Sequence, residues 1–335
     1  MRLAINGFGR IGRTFLRLAL AEGFDIVAIN DLSDAKTMTH LFKYDSVHGV
    51  YPQQVHAKPD AIVVETLSIP VFSMKAAVEL PWSALRVDIV VDCTGRNLTS
   101  DAAKAHLEAG AKQVLISAPA ADDIPMVVLG VNDDKINLSS SILSNASCTT
   151  NNIAPMIKIL NDNWGVEEGY ITTIHSMTGD QNLHDANHKD LRRARAASSS
   201  IIPTTTGAAK AITHIFPELE GRLGGAGIRV PVLNGSLTDF TCLLKKKTTI
   251  EEINLAFKSA ADNELKGVLE YTEDPIVSID IINNPHSCTF DSLLTSIVGD
   301  MVKVVGWYDN EYGYSSRLID VIKKISLLNV NVNND

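Results

Sequence analysis

Only four cysteines occur in 335 residues (Cys93, Cys148, Cys242 and Cys288), and none forms a C-x-x-C pair. So sparse a count in a long chain excludes a disulfide framework and fits the reducing cytosol, so a cytoplasmic protein is expected. No apolar run approaches the roughly 18 residues of a membrane span. The opening "MRLAINGFGR" enters a strand-like stretch at once, with neither an apolar h-region nor a cleavage site, so no signal peptide is expected. Positive charge is in deficit, with a formal net charge of −9 at pH 7, which argues against general nucleic-acid or membrane-surface binding. The one basic cluster, "RRAR", is three arginines in an acidic chain and carries little weight against that. "HDANH" sets His184 and His188 four apart but lacks the glutamate of H-E-x-x-H, so no metal is expected. Internal repeats and low-complexity segments are absent as well.

What is present is ordinary globular material, 45% hydrophobic and 21% charged, and the length suits two domains or one large one. The first half alternates. Short apolar runs at 3–7, 24–31, 60–72, 87–95, 112–119 and 126–132 predict strands, and helical spacing at 11–23 and 99–110 ends in Gly23 and Gly110. Continuous apolar strands alternating with helices predict a parallel sheet covered on both faces. In the second half, a helix at 149–165 contains Pro155 as a bend. More open strands follow at "GYITTIHSM", "GIRVPV", "SLTDFTCLLKKK" and "MVKVVGWYDN", with helices at 207–215, 249–262 and 311–329. Period-two alternation there predicts a mostly antiparallel sheet with one packed face. The expected fold is α/β: a doubly wound first domain of 1–148, to which 313–335 returns, and an α+β second domain of 149–312.

"NGFGRIG" places Gly7, Gly9 and Gly12 in the G-x-G-x-x-G spacing between a strand and a helix, with Asp31 at the end of the next strand. Gly7 permits the tight turn, Gly9 admits backbone to a pyrophosphate, and Gly12 lets helix approach strand. The helix N-terminus then faces phosphate with its positive end, and Asp31 can accept from ribose hydroxyls. The alternative is a glycine-rich turn without a ligand. Cys148, in "SNASCTTNN", follows a strand and begins a helix, a position expected to lower a thiol pKa. A nucleophilic thiol needs a base, and His175 stands 27 residues on, at the end of a predicted strand. Spacing alone leaves open that the cysteine is a small buried residue and the histidine is not catalytic.

"INGFGRIGR", "SNASCTTN", "HSMTGDQ", "DLRRARAA", "PTTTGAAKA", "RVPV" and "WYDNEYGYSSR" together resemble the phosphorylating glyceraldehyde-3-phosphate dehydrogenase family, in the family's order and over nearly the whole chain. The resemblance implies a Rossmann-type NAD-binding domain, a catalytic domain and a homotetramer. It implies oxidation and phosphorylation of D-glyceraldehyde 3-phosphate to 1,3-bisphosphoglycerate, with NAD and inorganic phosphate, as in glycolysis and gluconeogenesis. Cys148 is then the nucleophile and His175 its base: a hemithioacetal forms, hydride leaves to nicotinamide, and phosphate releases the resulting thioester. Imidazolium at His175 and the Cys148 backbone N–H can stabilise the oxyanion. Cofactor contacts are implied at Gly7, Phe8, Gly9, Arg10, Ile11, Gly12, Asp31, Thr94, Gly95 and Ser117, with Asn310 on the carboxamide. Thr178, Asp180, Arg195 and Arg229 are implied around the substrate phosphate, Asp180 orienting an arginine, and Ser147, Thr149, Thr206 and Gly207 around the attacking phosphate. At least one of Arg192, Arg193 and Arg195 reads equally well as a solvated basic face.

The chain departs from the family pattern in two places. Asn152 stands where many members carry a second cysteine, so Cys148 has no thiol partner one helical turn away. Ala186 and Asn187 replace the Leu-Pro of NAD-specific members. With Ser33 as an extra donor, NADP is expected as a weaker alternative, although Asp31 repels a 2′-phosphate. Erythrose-4-phosphate dehydrogenase is the nearest rival, but it departs from "TGD" and "TTTGAAK", which this chain keeps. A non-catalytic NAD-binding or adhesion paralogue is opposed by the intact site residues, and aspartate-semialdehyde dehydrogenase motifs are not matched.

Overall fold

The computed structural model describes residues 1–121 and 123–332. The chain forms two compact units: Met1–Val127 with Lys135–Ala146 and the C-terminal segment from Ser315, and Val128–Asp134 with Ser147–Tyr314. Relative to the expected 1–148 and 313–335, this gives Val128–Asp134, Ser147, Cys148, Gly313 and Tyr314 to the second unit.

The first unit runs β1 (Arg2–Asn6), α1 (Arg10–Ala21), β2 (Asp25–Asn30), α2 (Ala35–Lys43), β3 (Tyr44–Asp45), β4 (Gly49–Val50), β5 (Val55–Lys58), β6 (Ala61–Val64), β7 (Leu67–Phe72), β8 (Ile89–Asp92), α3 (Ser100–Glu108), β9 (Gln113–Ile116) and β10 (Ile142–Ser144). The sheet order is β10-β9-β8-β1-β2-β7-β6-β5, parallel from β10 to β7 and antiparallel through the last two joins. β8 and β9 are buried along their whole length, and β1 and β2 beyond their first residue, as a sheet covered on both faces requires. β1 is flanked by β2 on one side and β8 on the other, so a crevice opens at the carboxyl ends of β1 and β8. The expected helix at 99–110 is α3, capped by the Thr99 hydroxyl on the Ala102 N–H, with Gly110 at φ 105° beyond its end.

Two strand expectations fail. The run 60–72 is a hairpin of β6 and β7 rather than one strand, because polar Glu65 and Thr66 turn the chain, Glu65 at φ 52°. The run 126–132 contributes a single bridge, Met126 to Ser144. It then turns, with the Asn132 side chain accepting from the Val128 N–H and Asp133 from Gly130. Its apolar residues are buried in turns that side chains hold together, which hydrophobicity alone does not separate from a strand.

The second unit contains α4 (Cys148–Trp164), β11 (Val166–Ser176), β12 (Ile202–Thr204), α5 (Ala208–Ile215), β13 (Leu223–Val230), β14 (Ser236–Leu244), α6 (Ile250–Asp262), β15 (Leu269–Thr272), β16 (Cys288–Asp291), β17 (Ser296–Val298) and β18 (Met301–Tyr308). α7 (Tyr312–Val332) begins here and continues from Ser315 as part of the first unit. The sheet order is β12-β13-β11-β14-β18-β16-β15, with β17 on β18. It is mostly antiparallel, but β11 pairs β13 and β15 pairs β16 in parallel. α4 packs on β14 and β18 and is buried over most of its length. Pro155 lies inside this helix, where it removes the N–H that the Asn151 carbonyl would otherwise accept.

Candidate active site

α4 starts at Cys148 because Ser147 caps it: the Ser147 hydroxyl accepts the Thr150 N–H at 3.0 Å. The chain reaches this cap through Ala146, a buried residue at φ 52°, so the turn from strand to helix holds a strained, non-glycine position. Cys148 Sγ lies 3.4 Å from His175 Nε2. His175 sits near the end of β11, opposite Arg229 in the register of β13, so sheet pairing sets the guanidinium beside the imidazole. Thr173 shares His175's face of β11, two residues away. The Tyr308 hydroxyl is shared between Thr149 at 2.9 Å and Thr173 at 3.0 Å, which ties the first turn of α4 to β11.

The protonation pattern follows from these partners. His175 Nδ1 is 2.8 Å from the Ser176 carbonyl, which only accepts. With Nδ1 donating to that carbonyl, the Nε2 lone pair faces Cys148; Arg229 Nη1, which only donates, contacts the same Nδ1 and opposes this tautomer. Arg229 Nη1 donates to the same carbonyl at 3.1 Å and crowds Nδ1. Burial, then the Arg229 charge, push the His175 pKa down to about 3, so the ring is neutral. Burial also raises the Cys148 thiol above its ordinary value, against the pull of Arg229 and of the helix N–H groups of Thr149 and Cys148. The expected lowering by the helix N-terminus is thus present but outweighed in the resting protein, because the sulfur has lost most of its water. Partial exposure of the residue limits that upward push.

The neutral histidine makes stability depend on pH. Between about 3 and 6.5 the unfolded chain binds the His175 proton and the folded chain does not. The contribution of this group is therefore complete above pH 6.5 and declines as pH falls. The urea midpoint of His175→Asn is expected to fall less than the parent's between pH 7 and pH 5; equal declines would contradict a neutral buried ring.

Thr178 donates its hydroxyl to Asp180. Arg193 Nη1 donates to Asp180 at 2.6 Å and its Nε to Thr204 Oγ1 at 3.0 Å. Burial works to raise Asp180, but the Thr178 hydroxyl and the charges of Arg193 and Arg229 hold its carboxyl below the usual range. Arg195, expected in this group, instead faces Asp185 at 2.8 Å with its side chain 67% exposed. The arginine oriented by Asp180 is Arg193, and Arg195 is the solvated member of the cluster. Thr206 and Gly207 open α5, where the Thr206 hydroxyl accepts the Ala208 N–H and Gly207 leaves open space where a side chain would stand. Asn310 is fixed by two hydroxyls, Ser176 at 2.9 Å and Ser236 at 2.8 Å, both donating to Oδ1. Its Nδ2 hydrogens are left for another acceptor. Asn152 is fully buried and donates to the carbonyls of Ser287 and Trp307. Of these groups, Ser176 and Tyr308 are not singled out from the sequence, although "HSM" and "WYDN" contain them, and Arg193 is named there only as a member of the basic cluster.

The first unit holds a cavity of about 350 Å³ lined by residues that include Gly7, Gly9, Asp31, Thr94, Asn6 and Asn97. A Cβ on Gly7 would lie 2.8 Å from the backbone of Cys93 and Thr94, and one on Gly12 would lie 2.1 Å from the Gly7 carbonyl oxygen. A Cβ on Gly9 would meet nothing within 4 Å, so this residue keeps a backbone-wide opening. α1 has no side-chain cap at Gly9, and its N-terminal end presents the positive end of the helix dipole to an anion. Asp31 accepts the N–H groups of Phe8 at 2.7 Å and Ser33 at 2.9 Å, which aims its carboxylate from the end of β2. Arg10 spends its guanidinium on Asp45 at 2.5 and 3.0 Å, so that side chain is not the group that meets a ligand. Ile11 follows it in the first turn of α1. Gly95, at φ 65°, and Ser117, whose N–H donates to the Asp92 carbonyl, lie beyond the ends of β8 and β9. These features fit a dinucleotide: a neutral opening for pyrophosphate, a helix N-terminus, and a carboxylate for ribose hydroxyls. Among the described residues, no group of His, Cys, Asp or Glu could hold a metal ion.

The model of the glyceraldehyde 3-phosphate dehydrogenase NAD binding domain matches residues 1–100, and that of the C-terminal domain matches residues 147–310. The chain is 52% identical over 330 residues to glyceraldehyde-3-phosphate dehydrogenase of Mycobacterium avium, covering 96% of this chain and 97% of the relative. It is 51% identical to glyceraldehyde-3-phosphate dehydrogenase 2 of Streptomyces avermitilis and 50% identical to the enzyme of Mycobacterium leprae, with the same coverage of each. This chain belongs to the glyceraldehyde 3-phosphate dehydrogenase family. Its NAD-binding domain contains the glycine loop and the cavity, and its C-terminal domain contains Cys148, His175, Arg193, Arg229 and Asn310.

Proposed function

We propose that the protein is a phosphorylating, NAD-dependent glyceraldehyde-3-phosphate dehydrogenase of glycolysis and gluconeogenesis, carried by the 3.4 Å approach of Cys148 Sγ to the His175 Nε2 lone pair. Both groups are neutral at rest, so His175 takes the thiol proton as sulfur adds to the aldehyde carbon. The proton returns to the new alkoxide, giving a hemithioacetal on Cys148. His175 then holds the hydroxyl proton while the carbon is oxidised to a thioester. Bound NAD supplies the hydride acceptor for that oxidation. Inorganic phosphate attacks the thioester carbon, the C–S bond breaks, and acyl phosphate leaves with Cys148 restored. The Cys148 N–H, at the start of α4, stabilises the oxyanion.

Thr178, Arg193 and Arg229 bind the substrate phosphate, with Asp180 orienting Arg193. Ser147, Thr149, Thr206 and Gly207 receive the attacking phosphate. Asn310 Nδ2 donates to the carboxamide of NAD. In the NAD-binding domain the phosphates rest on the backbone of Gly7–Gly12, and Asp31 takes the ribose hydroxyls. NADP is a weaker alternative, opposed by the Asp31 charge. The working form is a cytoplasmic homotetramer, and among the described residues no helix is long and apolar enough to cross a membrane.

Initial rates with glyceraldehyde 3-phosphate and erythrose 4-phosphate, compared with and without phosphate, test this reading. Fast phosphate-dependent turnover of the triose is expected, and preference for the tetrose would contradict it. The two arginines separate further. Arg193→Ala is expected to raise the triose-phosphate KM about 10-fold or more, as loss of a charge-assisted bond does. Arg195→Ala, at an exposed ion pair, is expected to stay within about two-fold. The reverse order would show that the arginines are misassigned.

A further inference from the structure

The floor of the NAD-domain cavity carries a polar chain that the proposed chemistry does not use. Asp92, at the end of β8, is 1% exposed and, among the described residues, ion-paired with no lysine or arginine. Its Oδ2 accepts from Asn97 Nδ2 at 2.7 Å and Asn6 Nδ2 at 2.9 Å, and its Oδ1 from the Thr94 hydroxyl at 2.6 Å and the Thr94 N–H at 3.0 Å. His106 is fully buried with Nε2 3.2 Å from the same Oδ2. Trp82 Nε1, which only donates, stands 3.0 Å from His106 Nδ1. The imidazole hydrogen is therefore on Nε2 and points at Asp92. On the other side, Asn6 Oδ1 accepts from Asn30 Nδ2 at 2.7 Å, and Asn30 Oδ1 accepts from the Met74 N–H at 2.9 Å.

Donors converge on Asp92 from two sides, and Asn30 Nδ2 also donates outward to the Met74 carbonyl at 3.0 Å. From one side the order is Trp82, His106, Asp92; from the other it is the Met74 N–H, Asn30, Asn6, Asp92. Asp92, Asn6 and Asn30 close three adjacent strands, β8, β1 and β2, at their carboxyl ends, and Met74 follows β7. Five members or partners of the chain, Asn6, Asn30, Met74, Thr94 and Asn97, line the cavity. Three of these are asparagines, whose amides have two possible orientations: Asn30 is fixed by the Met74 N–H and carbonyl, whereas Asn6 and Asn97 each turn Nδ2 to the acceptor-only carboxylate of Asp92. A buried carboxylate compensated by dipoles alone is costly, so a purely structural role would be met more cheaply by a neutral group.

Resting on the NAD reading of this cavity, we infer that Asp92, with His106 holding it, is a positioning residue that sets the hydrogen-bonding polarity of the cavity floor and thereby cofactor affinity. Asp92→Asn keeps the shape but replaces one acceptor oxygen with a donor, so either the Thr94 groups or the donors from Asn6, Asn97 and His106 lose their acceptor. His106→Phe removes the Nε2 donor, whereas His106→Gln places an amide N–H where Nε2 stood.

The test is titration calorimetry of NAD into the full-length protein and these three variants, with KM for NAD, kcat and thermal midpoints measured in parallel. Asp92→Asn and His106→Phe are expected to raise the NAD Kd and KM by about 10-fold or more, with kcat at saturating NAD changed less than about two-fold. His106→Gln is expected to recover most of the parental Kd. A Kd for Asp92→Asn within two-fold of the parent overturns the inference, whatever the thermal midpoint does. So does a loss that appears in kcat alone, or a His106→Gln variant that binds no better than His106→Phe. Failure of the parent to bind NAD at all would instead overturn the reading of the cavity on which the inference rests.

Discussion

Cys148→Ser is expected to lower the phosphate-dependent oxidation of glyceraldehyde 3-phosphate by roughly 10⁴-fold or more, the scale on which loss of a covalent nucleophile is felt. The thiol is the only group in the constellation whose conjugate base is both accessible with a neutral imidazole and strongly nucleophilic. Serine keeps the helix start, since the cap is made by Ser147 and not by residue 148. Its hydroxyl is far less acidic than a thiol, so the proton transfer to His175 that accompanies attack is much less favourable. An ester on serine would also resist phosphate more than a thioester does. NAD binding, which rests on the first unit's glycine loop, is expected to persist with unchanged Kd by calorimetry. Residual activity of a tenth or more would show that another group attacks the aldehyde.

Removal of the base has the second largest effect. His175→Asn is expected to reduce kcat by about 10²–10⁴-fold, the usual contribution of a positioned general base. Asparagine can still donate to the Ser176 carbonyl from near the Nδ1 position, so the local fold is retained while the Nε2 lone pair is lost. The same variant is expected to slow alkylation of Cys148 by iodoacetamide at neutral pH, because the thiol loses its proton acceptor while burial still holds its pKa up. Two readouts separate the roles: a base affects both the alkylation and the turnover, whereas a group that only shapes the pocket affects KM. Alkylation at the parental rate, with kcat nearly intact, would mean that His175 does not take the thiol proton.

The parts of the site that read well from sequence are those whose geometry is local. The glycine loop and Asp31 lie within one strand–turn–helix–strand segment, so strand pairing and helix packing fix their relation over a short stretch. The strand at 87–95 and the helix at 99–110 were legible for the same reason, each with its own cap or stop. Cys148 and His175 were visible as candidates, but their approach depends on how a buried 17-residue helix lies on a sheet, and only the family resemblance connected them. Tyr308 was illegible as a partner of Thr149 because the two are 159 residues apart and meet only through packing of α4 on β18. Arg193 and Arg195 lie in an irregular segment where no period tells which side chain turns inward, and the sequence reading chose the outward one. The pull of the helix N-terminus on the thiol is legible in the sequence, while the loss of water around the sulfur, which opposes it, is not. The hairpin at 60–72 and the turns after Met126 show the same limit, since apolar burial marks where a segment lies and not how it is paired.

The central claim is that oxidation and phosphorylation are joined by a thioester on Cys148. The direct measurement mixes the enzyme with glyceraldehyde 3-phosphate and NAD in the absence of phosphate, follows reduced cofactor, and locates the acyl group by mass spectrometry. A burst close to one equivalent per site, an acyl adduct on the peptide containing Cys148, and steady turnover once phosphate is added are the predicted results. Steady turnover without phosphate, or an adduct on any other residue, would contradict the account.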